Sequence, residues 1–151
     1  MSHETLESPL IILGRELRTS NDVGFETIPP FWGAFYGYGG ASQIPGRLSD
    51  DIYAVYTNFE NEGVNNNGVY SLVIGCLVAA DSSGTDGLII VTVPVSDRVV
   101  FPVESGRPDL AGVEWQEIWA MTELGNTYLA DFERYSADGS IEISIGVDSE
   151  G

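Results

Sequence analysis

Two glutamates stand out because each follows a phenylalanine at or near the end of an aromatic-rich strand pattern. Glu60 closes the segment DIYAVYTNFE, residues 51–60, and Glu133 lies in YLADFERY, residues 128–135. An apolar strand pattern follows each of them, and a helix pattern that contains tryptophan precedes each of them. A carboxylate among aromatic rings is what a pocket for a lipophilic cation requires. The repetition also predicts one small structural unit that is present twice.

The surroundings of Glu133 leave two interpretations open. Strand alternation places Glu133, Asp131 and Tyr135 on one face of the segment 128–136. In the first, Glu133 is exposed, as most glutamates are, and pairs with Arg134 or with a residue of a neighbouring strand. In the second, Glu133 is a half-buried carboxylate under the helix tryptophans. Burial without a partner costs several kcal/mol, so a buried Glu133 would await a cationic ligand or hold a proton. That cost would indicate a functional site.

Glu60 has different neighbours. It runs directly into the polar turn Asn61-Glu62-Gly63, and no tyrosine follows it at the second position. We therefore expect Glu60 to be a surface charge at the end of a strand and Glu133 to be the pocket carboxylate.

Aromatic residues recur at helical spacing before both segments. They are Phe31, Trp32, Phe35 and Tyr36 in the first half; in the second, Trp115, Ile118, Trp119 and Thr122 lie along one face. Core packing is the default interpretation for each tryptophan, and the wall of a ligand pocket is the alternative. Tyr53 and Tyr56 point to opposite faces of their strand, so at most one of them is expected in a shared pocket.

Composition argues against several classes of function. The 151 residues, 43% of them hydrophobic, predict one domain, residues 1–151, with a real core. A formal charge of −17, with six arginines and no lysine, disfavours nucleic-acid binding. The acids are scattered evenly, which favours a solvated surface over a built acidic site. His3 is the only histidine and Cys76 the only cysteine, so no catalytic triad, metal site or cofactor is predicted.

Targeting signals are not visible in the sequence. No apolar run approaches the length that spans a bilayer. The N-terminus MSHETLESP lacks the basic and apolar regions of a secretory signal. The chain is therefore predicted to be cytoplasmic, without membrane contact.

The predicted elements follow the order β-α-β-β, a bridging strand, and β-α-β-β. Helices are predicted to start near Thr27 and Asp109 and to end at Gly37 and Gly125; the predicted strands are 9–20 (interrupted at Gly14), 51–60, 69–79, 88–95, 99–105, 128–136 and 141–148. The bridging strand 88–95 is expected beside 69–79, Asp138-Gly139 predicts a hairpin, and the N-terminus is expected to be frayed. Helices that alternate with antiparallel hairpins indicate an α+β fold, with pseudo-repeats 8–80 and 98–148 and a groove where they meet.

The segments IPPFWGAFY, DDIYAVYTNFE, VYSLVIGCLV and WQEIWA followed by YLADFERY resemble the small-molecule-binding superfamily related to the DNA gyrase inhibitor protein. That superfamily includes effector-binding domains of AraC-type and MerR-type regulators and some integron cassette proteins. The resemblance covers roughly residues 8–148. It implies a curved antiparallel sheet with two helices that frame a ligand groove.

The resemblance also implies a set of site residues. Glu133 matches the glutamate that forms the anionic floor of the family's pocket, and Tyr135 lies beside it. Residues matching the walls of that pocket are Trp32, Tyr36, Tyr53, Phe101, Trp115 and Trp119.

Three functions are compatible with these features. The first is a stand-alone binding protein for lipophilic, cationic small molecules such as drugs and dyes, because no helix-turn-helix accompanies the domain in this sequence. The second is a hydrolase of reactive electrophilic compounds with Glu133 as general base. The third is an interaction module like the gyrase inhibitor, with a protein partner or a second copy of the chain.

Overall fold

The computed structural model describes residues 2–65, 67–84, 87–121 and 124–148. Within these residues, eight strands form one antiparallel sheet and two α-helices pack on it. The strands are β1 (Ser2–Leu6), β2 (Leu10–Ser20), β3 (Ile52–Thr57), β4 (Val69–Leu77), β5 (Ile89–Val93), β6 (Ser96–Val103), β7 (Ala130–Tyr135) and β8 (Ile141–Val147). The helices are α1 (Gly24–Gly37) and α2 (Ala111–Trp119), with short 3-10 turns at Gly40–Gln43 and Pro108–Leu110.

The strand order shows the duplication directly. It runs β1-β6-β8-β7-β3-β4-β2-β5, so the unit β2-α1-β3-β4 and the unit β6-α2-β7-β8 meet at the β3–β7 pair. Each unit gains one outer strand, β5 on β2 and β1 on β6. The predicted α+β fold, a duplicated β-α-β-β unit with an antiparallel sheet, is therefore confirmed.

Two outer strands differ from the sequence-based expectation. The N-terminal segment, expected to be frayed, forms β1 and pairs with β6 from Ser2↔Val100 to Leu6↔Ser96. The predicted neighbour of β5 is β4, but β5 pairs with β2 instead. Both edges of β4 are already occupied, by β2 and by β3. Alternation identifies a strand but contains no information about its partner.

The first helix starts earlier than Thr27. It begins at Gly24, and Thr27 lies inside it, where its hydroxyl donates to the Val23 carbonyl at 3.2 Å. Pro29 and Pro30 lie in the helix interior rather than in its first turn. Each proline removes one backbone donor, which weakens but does not end the helix here.

The second helix is shorter than predicted. It ends at Trp119, and Thr122, predicted on the same face, lies outside the described residues. Asp109 does not cap the helix, because its carboxylate pairs with Arg107 at 2.9 Å. Neither α1 nor α2 has the length and apolar composition of a membrane-spanning helix, and no other α-helix is found in the described ranges.

Apolar side chains form three clusters in the described residues. One lies between α1 and the first unit, around Phe35, and one lies between α2 and the second unit, around Ile118. The third lies on the opposite face of the sheet, around Tyr53 and Phe132. Leu6 of one outer strand and residues of the other outer strand, β5, both pack into this third cluster. The sheet therefore curls away from the helices until its two edges approach the same core.

Two glycines allow β2 and β4 to approach closely. Gly14 and Gly75 are direct partners, and β2 continues through Gly14 without a break in pairing to β4. A Cβ atom on Gly75 would collide with the Leu13 carbonyl oxygen, and one on Gly14 would collide with the Ile74 carbonyl oxygen. The prediction that the strand is interrupted at Gly14 is therefore wrong. The strand β2 is continuous there, and Gly14 instead permits a close contact with the backbone of β4.

We expect Gly75→Ala to destabilise the protein by about 1–3 kcal/mol, because backbone atoms at the Gly14–Gly75 contact must move apart to admit a methyl group. The measurement is the free energy of unfolding in urea. Gly33→Ala is the matched control, since a Cβ atom there meets nothing within 4 Å in the exposed part of α1. It should be neutral or stabilising by up to about 1 kcal/mol. Equal stability of the native protein and Gly75→Ala would contradict the close contact.

Candidate functional site

Glu133 lies near the middle of the sheet, on the face that carries the helices. Its direct cross-strand partners are Ala54 of β3 and Ile143 of β8, and only 3% of its surface is exposed. Arg134 faces the other side of the sheet and lies 3.3 Å from the carboxylate of Glu142. The interpretation of Glu133 as an exposed glutamate paired with Arg134 is therefore wrong.

Three side chains donate hydrogen bonds to the Glu133 carboxylate. The Tyr56 hydroxyl donates to Oε2 at 2.8 Å, and the Trp115 indole Nε1 donates to the same oxygen at 2.6 Å. The Tyr135 hydroxyl donates to Oε1. An indole N–H can only donate a hydrogen bond, so Oε2 of Glu133 must accept the one from Trp115. The donors come from β3, α2 and β7, which fixes the carboxylate from three directions.

The phenols are held in their donating form. Burial, followed by the charge of Glu133, raises the pKa of Tyr56 and of Tyr135 well above the ordinary value. Both hydroxyls therefore keep their protons at neutral pH and remain available as donors. Hydrogen bonds to a charged acceptor are stronger than neutral ones, and they compensate part of the cost of burying Glu133.

A cavity of about 540 Å³ opens over this carboxylate between the two helices. The volume lies in the range of small-molecule sites. Residues lining it are Asn21, Gly24, Ile28, Pro29, Trp32, Tyr56, Phe59, Tyr70, Pro108, Ala111, Gly112, Trp115, Gln116, Trp119, Asn126, Tyr128, Asp131, Glu133 and Tyr135.

Aromatic rings form a continuous lining around the carboxylate. Trp32 of α1 meets Tyr135 edge-on with ring centroids 5.2 Å apart, and Tyr56 meets Trp115 in the same way at 5.3 Å. Trp119 extends the wall from Trp115 at 5.8 Å. The faces and edges of these rings point in different directions, so a flat or a branched aromatic guest would find ring surfaces to contact.

Negative charge dominates the lining of the cavity. No arginine, lysine or histidine is among its described lining residues. Ion pairs elsewhere in the described residues occupy three arginines: Arg47 with Asp50, Arg107 with Glu104 and Asp109, and Arg134 with Glu142. The described residues also contain no cluster of three or more His, Cys, Asp or Glu side chains that could hold a metal ion.

Five of the residues predicted for the site line the cavity: Trp32, Trp115, Trp119, Glu133 and Tyr135. Their role in binding a ligand stays a prediction. The other three, Tyr36, Tyr53 and Phe101, do not line it.

Each of these three is placed elsewhere for a simple reason. Tyr36 is 56% exposed and stacks on the outer side of Trp32 at 6.1 Å. Tyr53 lies on the opposite face of β3 and packs against Phe132. Phe101 shares the helix-covered face, but it lies on β6, beyond β8, and is buried in the core beneath α2.

Sequence reasoning missed two important lining residues. Because residues 53 and 56 face opposite sides of their strand, the alternation left Tyr53 and Tyr56 as alternatives, and Tyr56 is the one in the cavity. Asp131 shares the face of Glu133 by the same alternation and also lines the cavity. The alternation of side chains along a strand shows which residues share a face with Tyr56 and with Asp131. It does not predict which face of the strand packs against the helices.

The two Phe-Glu steps are not equivalent in the structure. Phe132 and Glu133 lie within β7, whereas β3 ends at Thr57, before Phe59 and Glu60. Glu60 is exposed and accepts a hydrogen bond from the Val69 amide at 3.0 Å. The expectation that Glu60 is a surface charge is confirmed, and its partner Phe59, not Phe132, faces the cavity.

Known structures share this fold over nearly the whole chain. The integron cassette protein VCH_CASS2, from the mobile metagenome of Vibrio cholerae, has a TM-score of 0.79 and 22% identity, covering 97% of this chain and 95% of that one. SAV2435 bound to tetraphenylphosphonium has a TM-score of 0.75 and 17% identity, covering 99% of this chain and 94% of that one. A putative bacterial transcription regulation protein from Staphylococcus aureus MU50 has a TM-score of 0.71 and 16% identity, covering 98% and 97%.

Sequence comparison defines the family more closely than these folds do. No curated protein matches the chain. The profile of the Cass2 family, the integron-associated effector binding proteins, matches residues 6–147. These residues include both duplicated units and all of the cavity lining. The chain therefore belongs to the family of integron-associated effector binding proteins.

Proposed function

We propose that the cavity binds lipophilic organic cations and that Glu133 supplies the counter-charge. The observation that carries this proposal is a buried carboxylate, oriented by three donors, at the floor of an aromatic cavity whose described lining contains no cationic side chain. A guest cation would provide the charge that the protein does not. The complex of SAV2435 with tetraphenylphosphonium, a lipophilic cation, supports the proposal by its similar fold.

The aromatic lining suits the same class of guest. A cation over an aromatic face gains about 0.5–2 kcal/mol per contact, and more when it is desolvated. Burial of its apolar groups against the tryptophans and tyrosines adds the hydrophobic term. The lining therefore favours cations whose charge is spread over an apolar body rather than small hydrated ions.

The hydrogen bonding of Glu133 favours a counter-charge over a general base. A general base must share a hydrogen bond with the water that it activates. Oε2 already accepts two hydrogen bonds, from Tyr56 and Trp115, and Oε1 accepts one, from Tyr135. An oxygen has two lone pairs, so three of the four positions are occupied by fixed donors. The hydrolase hypothesis has no comparable observation in its favour.

Glu133→Gln is expected to weaken tetraphenylphosphonium binding at least about tenfold. Two unit charges about 4 Å apart at an effective dielectric constant near 20 attract by about 4 kcal/mol, and desolvation offsets only part of this. Isothermal titration calorimetry gives the Kd, and a thermal melt of the ligand-free variant confirms that it folds.

Glu60→Gln is the matched control, since it removes the same charge from an exposed position outside the cavity. It should change the Kd less than about twofold, because exposed charges are screened by solvent and salt. Equal affinities of the native protein and Glu133→Gln would contradict the proposal.

Trp119→Ala tests the aromatic wall with little disturbance of the core. Trp119 is 48% exposed and lines the cavity, so its removal should weaken tetraphenylphosphonium binding about 2- to 30-fold, the equivalent of about 0.5–2 kcal/mol. Tyr36→Ala removes another half-exposed ring that does not line the cavity and should leave the Kd nearly unchanged. A larger effect of Tyr36→Ala than of Trp119→Ala would show that the guest lies outside the cavity.

A further inference from the structure

Asp131 is a second buried carboxylate in the cavity. It is 6% exposed, lines the cavity with Glu133, and precedes Glu133 by two residues on the same face of β7. The Glu133 carboxylate accepts hydrogen bonds from three protein donors, and each of these bonds goes to Glu133 rather than to Asp131. The counter-charge role of Glu133 therefore leaves Asp131 unexplained.

The two oxygens of Asp131 have different surroundings. Oδ1 accepts a hydrogen bond from the Gly146 amide at 2.9 Å, which holds the side chain against β8. No described residue donates a hydrogen bond to Oδ2. Burial raises the pKa of Asp131 to about 6, although the Gly146 hydrogen bond and the charge of Arg98 oppose the rise.

Arg98 does not neutralise the cavity side of Asp131. The Arg98 guanidinium lies over the Phe132 ring, at 5.1 Å from its centroid, on the face of the sheet away from the helices. Its Nε and Nη2 donate to the Ser144 hydroxyl and carbonyl at 2.8 and 2.9 Å. The positive charge thus acts from behind the sheet and leaves the cavity with two carboxylates.

The separation of these carboxylates defines a ligand class. Two residues along a strand span about 7 Å, and side chains at these positions project in the same direction. We propose that the cavity accepts an organic dication, with one cationic centre at Glu133 and the other, about 7 Å away, at Asp131. This inference rests on the proposed function and specifies the ligand that the same cavity prefers.

The test uses two probes of the same two-ring shape and different charge. The dication 1,1′-dimethyl-4,4′-bipyridinium carries its two nitrogens about 7 Å apart, the span of two strand residues. The monocation 1-methyl-4-phenylpyridinium carries one. Calorimetry at pH 8 would give both Kd values for the native protein, Asp131→Asn, Glu133→Gln and the exposed-charge control Asp81→Asn.

We expect the native protein and Asp81→Asn to bind the dication at least about tenfold more tightly than the monocation, a difference of about 1.4 kcal/mol. In Asp131→Asn this ratio should fall to about twofold or less, while the monocation remains bound. A ratio that is the same in the native protein and in Asp131→Asn would overturn the second subsite. Monocation binding that is insensitive to Glu133→Gln would instead overturn the proposed function, so the two failures are distinguishable.

Asp131→Asn is expected to fold, and the pH dependence of its stability relative to that of the native protein tests this expectation. A carboxyl whose pKa is raised on folding favours the folded state when protonated, and this advantage is lost as the pH rises through about 6. Asparagine resembles the protonated acid and retains an oxygen for the Gly146 amide. The Tm of the native protein relative to that of Asp131→Asn should therefore decrease between pH 4.5 and 7.5.

The native protein alone provides a second test through pH. The titratable groups that line the cavity with Asp131 are Glu133, Tyr56, Tyr70, Tyr128 and Tyr135, and Arg98 lies behind it. Burial keeps the Tyr56, Tyr70 and Tyr135 phenols neutral, since it raises the pKa of each. The preference for the dication over the monocation should decline at least about fivefold from pH 8 to pH 5 in the native protein and stay constant in Asp131→Asn. A preference that is constant with pH in both proteins would overturn the inference.

Discussion

The hydrogen bonding of one buried carboxylate depends on most of the tertiary structure. Glu133 receives donors from β3, from α2 and from its own strand β7. The Tyr56 donor is in reach only because the β3–β7 register places Ala54 opposite Glu133 and Tyr56 two residues further along. The Trp115 donor is in reach only because α2 packs over β6 and β8. Loss of any of these arrangements would leave a poorly compensated charge in the interior, which costs more than an ordinary buried contact.

The cavity is a consequence of how the duplicated units cover their cores. Each helix packs over the sheet of its own unit, α1 above the cluster around Phe35 and α2 above the cluster around Ile118. The units join at β3 and β7, along the line between the helices. The side chains on that line are covered by neither helix completely. A concave aromatic space therefore forms at the junction, and the residues of β3 and β7 form its floor.

Much of the fold could be predicted from local pattern. The β-α-β-β order, the Asp138-Gly139 hairpin and the inequality of Glu60 and Glu133 all follow from residue spacing and turn chemistry. Errors concerned the ends of helices and the partners of strands. Local alternation cannot reveal that β1 extends β6, or that β5 lies beside β2, because those choices depend on which strand edges remain open after folding.

The candidate site shows the same division between local and tertiary information. The period of two along each strand decides that Asp131, Glu133 and Tyr135 share a face, and that Tyr53 and Tyr56 do not. It cannot decide which face meets the helices, so Tyr56 rather than Tyr53 enters the cavity only once β3 pairs with β7. The alternation also does not reveal how far apart two residues lie across the sheet. Phe101 is on the helix-covered face, but it lies in the core beneath α2. Relative orientation within one strand is a local property of the backbone, whereas enclosure arises from contacts between segments far apart in the chain.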